Sequence, residues 1–81
     1  MTDKNALLIS VQRLLQLAKA RNTNQGVKVY KETLRKIEET SSQREVDDLS
    51  GKLKRALSGI EAHGYFTNEE FELVKEIRSM D

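Results

Sequence analysis

The stretch Ser42-Gln43-Arg44-Glu45-Val46-Asp47-Asp48-Leu49-Ser50-Gly51-Lys52-Leu53-Lys54-Arg55-Ala56-Leu57-Ser58-Gly59-Ile60-Glu61-Ala62-His63-Gly64 decides the fold. Val46, Leu49, Leu53, Ala56 and Ile60 recur at three-four spacing, with Leu57 beside them. That period places them along one side of a helix and forms a heptad-like seam. Ser42 and Glu45 have the spacing of a capping box, in which the hydroxyl accepts from the Glu45 amide and the carboxylate reaches back to the Ser42 amide. His63-Gly64 supplies the stop, Gly64 being suited to the left-handed residue after a helix. Ser50-Gly51 and Ser58-Gly59 fall inside, and each glycine costs roughly 1 kcal/mol against alanine. The apolar period continues through both. The expectation is therefore one helix over about 43–63, with room for a kink at Ser50-Gly51.

Toward the C-terminus, Thr67-Asn68-Glu69-Glu70 is a second capping box. Phe66 before it and Phe71 within it form a hydrophobic staple. Glu69, Glu70 and Glu72 suit the positive end of a helix dipole, and Lys75 and Arg78 suit the other end. Phe71, Val74 and Ile77 are expected to face inward, on a helix over about 68–80. Toward the N-terminus, Val27, Tyr30, Leu34 and Ile37 predict a helix over about 26–40. Val27-Lys28-Val29-Tyr30 alternates like a strand, but the helical period continues past it. Leu7, Val11, Leu14 and Ala18 predict a first helix over about 4–21, widened by Leu8, Leu15 and Leu17 and capped by Thr2 or Asp3. Asn22, Thr23, Asn24 and Gly26 favour the turn that follows.

The chain of 81 residues thus reads as a single all-α domain, a small compact bundle of about four helices joined by short turns. No proline- or serine-rich linker divides it. With 5% aromatic residues and no Trp, its core rests on Leu, Ile and Val. Small cores of this kind are often completed by self-association or by a partner.

Composition narrows the chemistry. There is no Cys, hence no disulfide, thiolate nucleophile or cysteine zinc site. The longest apolar run is Ala6-Leu7-Leu8-Ile9, far below the roughly 20 residues of a membrane-spanning helix. Ser10, Gln12 and Arg13 interrupt the only candidate signal sequence, and the acid-poor, amphipathic first 25 residues read as an ordinary helix rather than a transit peptide. A cytoplasmic location without membrane attachment is expected.

The only histidine, His63, stands at a helix C-terminus, where its partial charge meets the dipole. Glu61-Ala62-His63 lacks the Glu-x-x-His spacing of bundle metal sites. The acidic pairs Asp47-Asp48 and Glu69-Glu70 open helices, where acids belong, and no phosphate-binding glycine loop is present. We therefore assign no catalytic, cofactor or metal residues, and the expected class is non-enzymatic.

Charge is distributed unevenly. Between Lys4 and Lys36 there are eight basic residues and one acidic, Glu32; between Gly64 and Asp81 there are five acidic and two basic. Lys28, Lys31 and Arg35 share a stripe of the second helix, and Lys19 and Arg21 are expected to join them across the turn. Tyr65 is a candidate aromatic anchor, since such residues are enriched at binding hot spots. The candidate binding residues are thus Lys19, Arg21, Lys28, Lys31, Arg35 and Tyr65. The expected partner is another protein, bound by an adaptor, inhibitor or regulator. Two further readings stand beside it. One is a nucleic-acid-binding regulator using the same cations on phosphates. The other is a homo-oligomer, such as a homodimer, joined through the Val46–Ile60 seam. The bland alternative is a solvated face laced by the i,i+4 pairs Glu32–Lys36 and Arg35–Glu39.

Overall fold

The computed structural model describes residues 2–21, 26–64 and 66–80. Four helices follow in order: α1 (Lys4–Ala20), α2 (Val27–Glu39), α3 (Gln43–Ala62) and α4 (Asn68–Ser79). Each expected boundary lies within about one residue of the observed one. The helices form a ring in which α1 packs on α2, α2 on α3, α3 on α4 and α4 back on α1. α1 also touches α3 across the middle, whereas the backbones of α2 and α4 stay apart on opposite sides. The long dimension of 33 Å is set by α3, whose length is about 30 Å at 1.5 Å per residue.

Local chemistry explains the ends. The Asp3 carboxylate accepts from the Asn5 and Ala6 amides and caps α1. Thr67 and Glu70 make the full reciprocal capping box of α4. The Ser42 box is only half formed. Its hydroxyl accepts from the Glu45 amide, but the Ser42 amide donates to Thr40 Oγ1 at 3.1 Å. A nearer acceptor in the turn has displaced the carboxylate. Glycines 26 and 64 take the left-handed conformation, with φ of 81° and 74°.

The core is built from one stripe per helix. α1 contributes Leu7, Val11, Leu14 and Ala18, as its spacing predicts, and α2 contributes Tyr30, Leu34 and Ile37. α3 departs from expectation. It buries Val46, Ser50, Leu53 and Leu57, while Leu49, Ala56 and Ile60 are only half-buried. Both sets satisfy the three-four period. Packing against α1, α2 and α4 together turns the first set inward. Val46 and Leu53 of the expected seam thus belong to the core of the chain, while its Leu49, Ala56 and Ile60 stay half-buried. One consequence is a fully buried Ser50 hydroxyl that has no hydrogen-bond partner among the described residues.

α4 departs as well. Phe71 was expected inside but is half-exposed, with the Lys75 ammonium 5.5 Å from its ring centroid. Glu70 and Leu73 are buried instead. Several side chains bind elements together. Lys4 Nζ donates to the Thr40 carbonyl and Lys54 Nζ to the Met80 carbonyl, each at 2.6 Å. Orphan carbonyls at the ends of α2 and α4 are thereby satisfied. Arg78 pairs with Glu61 across α3 and α4.

α3 runs through Gly51 and Gly59 as one helix. A methyl group at either position meets nothing within 4 Å. Gly51→Ala and Gly59→Ala are therefore each expected to stabilise the domain by about 1 kcal/mol, the difference in helix propensity. Urea unfolding checks this; a loss of stability in both variants contradicts a continuous α3 with open space at these positions.

Candidate functional site

α2 begins after Gly26 and turns Tyr30, Leu34 and Ile37 toward the core. Its opposite side therefore faces solvent. Lys28, Lys31 and Arg35 stand there, all exposed and separated by three and four residues. Half-buried Val27 lies beside Lys28, Lys31 and Glu32 around an open hollow of about 360 Å³. Arg35 approaches Glu39 at 3.6 Å, with both side chains more than 60% exposed, so the contact contributes little. The expected Glu32–Lys36 pair does not form among the described residues. Lys28 and Lys31 likewise have no carboxylate within ion-pair distance among the described residues.

The other candidate residues are placed differently. Lys19 is exposed in the last turn of α1. Arg21, the C-cap of α1, turns away from the basic stripe and engages Glu70 of α4. Nη2 donates to Oε2 at 2.7 Å, and Nε lies 2.6 Å from Oε1, outside hydrogen-bond alignment. The Glu70 side chain is wholly buried and that of Arg21 is 22% exposed. Oε1 also accepts from the Thr67 amide at 3.1 Å. Arg21 is thus a structural cation rather than part of an open basic patch. Tyr65 lies outside the described residues. Spacing gave no sign of the Arg21–Glu70 pair, because its partners are 49 residues apart. The one available signal was the acid-rich capping box following a basic N-terminal half.

Beside this pair, the Tyr30 ring is fully covered and its hydroxyl has no hydrogen-bond partner among the described residues. Burial pushes that hydroxyl up from 10.0 to about 12; Glu70 adds to the rise and Arg21 opposes it. A phenol held neutral by the fold contributes fully below its unfolded value near pH 10. That contribution is lost as pH rises from about 10 to about 12. Tyr30→Phe is expected to match or exceed the wild type in stability at pH 9, since it deletes an unpaired buried hydroxyl. Its advantage then widens toward pH 12. Denaturant unfolding of both chains along this pH series reads the gap, and a constant gap refutes the assignment.

At the opposite edge, α1 and α4 leave a groove of about 470 Å³ with Leu17 and Leu73 on its floor and Glu69, Glu72, Glu76 and Arg13 around it. At the chain's start, the Thr2 amide donates to Asp47 at 2.9 Å and the Gln43 side-chain amide to the same oxygen at 3.0 Å. These donors, Thr2 foremost, hold the Asp47 carboxyl below its ordinary 3.8. Among the described residues, no three His, Asp and Glu side chains group as around a metal ion, and no helix is long and apolar enough to cross a membrane. No family model, curated protein or solved structure matches the chain.

Proposed function

We propose that this chain is a small non-enzymatic protein-interaction module, an adaptor, inhibitor or regulator, that docks the exposed face of α2 on an acidic surface of another protein. The observation that carries this reading is the α2 face itself. It has two cations without acidic partners among the described residues, a third in a weak exposed pair, and a half-buried valine beside an open hollow. Such a face steers encounter with an acidic partner and fixes register. The hollow gives an apolar side chain somewhere to settle. Nucleic acid is the weaker reading for a specific reason. Arg21 is spent on Glu70, and Tyr30, the aromatic among the cations in sequence, is wholly buried and offers no surface for base stacking.

Two measurements test the proposal. The first is affinity capture with the wild-type chain and with K28E/K31E/R35E, followed by titration of the captured protein in purified form. The proposal expects a defined protein whose affinity falls at least about tenfold on charge reversal, or about 1.4 kcal/mol. The second is fluorescence anisotropy with mixed-sequence duplex DNA and single-stranded RNA at low and near-physiological salt. Nucleic-acid binding that is tight, falls by orders of magnitude with salt and vanishes in the same variant overturns the proposal in favour of phosphate recognition. A captured protein indifferent to the reversal also overturns it.

A further inference from the structure

The basic and acidic faces of this molecule mirror one another. On α2, Lys28, Lys31 and Arg35 follow at three and four residues; on α4, Glu69, Glu72 and Glu76 follow at the same intervals. Each triplet spans about 10.5 Å along its helix. Each has one member in a weak exposed pair on its own helix, Arg35 with Glu39 at 3.6 Å and Glu72 with Lys75 at 3.7 Å. Each face carries one opposite charge without an ion-pair partner among the described residues, Glu32 beside the lysines and Arg13 beside the glutamates. Each also has apolar surface, Val27 on one and Leu17 with Leu73 on the other. The faces lie on opposite sides of the ring, since α2 and α4 do not approach. One chain therefore cannot bring them together.

The geometry points to a second copy of this chain as the occupant of the α1–α4 groove, its α2 face laid along α4 with lysines and arginine opposite the glutamates. Matched spacing in parallel alignment sets Lys28 opposite Glu69, Lys31 opposite Glu72 and Arg35 opposite Glu76. The contact joins two different surfaces, so it repeats head-to-tail and does not stop at a dimer unless the rotation closes a ring. A net charge of +1 puts little self-repulsion in its way. Exposed ion pairs make it weak and sensitive to salt. The inference stands independently of the hetero-partner reading. A copy on the α2 face excludes a partner there, so self-association would regulate that face by concentration.

Sedimentation velocity on the purified chain alone tests this, so failure here leaves partner binding untouched. At about 1 mM protein and low ionic strength, the weight-average mass is expected to exceed the monomer's at least about twofold. It should return to monomer near 1 M salt, where the Debye length is about 3 Å. K28E/K31E/R35E and E69K/E72K/E76K are each expected to be monomeric, and mixing them restores association because every contact is complementary again. R44E/K52E/R55E, which carries the same net charge as the first variant on the outer side of α3, is expected to associate like the wild type. If E69K/E72K/E76K fails to fold, E72Q/E76Q replaces it, with partial loss expected. A wild type that stays monomeric under these conditions overturns the inference. So do association surviving either reversal, and a mixture of folded reversed variants that remains monomeric.

Discussion

Arg21→Ala is expected to destabilise the domain by about 3–5 kcal/mol, the usual cost of removing one partner of a buried ion pair. The cause is not the loss of an attraction alone. Glu70 is wholly buried and already receives the Thr67 amide, so removing the guanidinium strands a carboxylate away from water. A domain of this size has a total stability of only about 4–12 kcal/mol at 0.05–0.15 kcal/mol per residue, so the variant loses a large fraction of it. Glu70→Gln is expected to cost less. The amide oxygen still accepts from Thr67, and the Arg21 side chain that remains is 22% exposed and has access to water. The double variant R21A/E70Q buries no charge and is expected to be more stable than R21A. Urea unfolding of the three variants forms the cycle. A cost below about 1 kcal/mol for R21A, or a double variant no better than R21A, contradicts the structural role given to this pair.

Gly26→Ala is expected to cost about 2–4 kcal/mol, combining left-handed strain with overpacking of a core ring. Gly26 sits at φ 81°, and a methyl group there lies 2.8–2.9 Å from Tyr30 Cζ, Cε2 and the hydroxyl oxygen. The ring is fully buried and has no free direction in which to retreat. Gly64 is the internal control. Its φ is 74°, yet a methyl group there meets nothing within 4 Å. Gly64→Ala pays the conformational cost alone, about 1 kcal/mol. Thermal unfolding separates the two, since 1 kcal/mol shifts Tm by about 4–8 °C in a domain of this size. Equal shifts for both glycines refute the close approach of Gly26 to Tyr30.

The helices were legible because their signals are local. Leu7, Val11, Leu14 and Ala18 repeat every three or four residues, and each repeat reports its own face. Asp3, Ser42 and Thr67 act on amides two or three residues away, so their roles can be read from neighbours. The basic stripe of α2 was legible for the same reason: Lys28, Lys31 and Arg35 share a face by spacing alone. What failed were statements that needed a second helix. The α3 period fits both Leu49/Ala56/Ile60 and Ser50/Leu57, and only packing against three neighbours chooses. Phe71 carries more apolar surface than Leu73, yet α4 turns Leu73 inward because Glu70 must reach Arg21 from the adjoining position. Arg21 looked like one more cation beside Lys19 and Lys28, since nothing near it in sequence announces a buried carboxylate.

The amino-acid sequence by itself determined four helices, their ends and the charge each one carries, because capping, propensity and period act over four residues or fewer. The tertiary structure decided which cation is structural and which are exposed. It also chose the side of α3 that forms the core, and it set α2 and α4 on opposite edges as faces of opposite sign. Those outcomes depend on contacts between residues distant in the chain, where burial and the low dielectric around Glu70 outweigh every local preference.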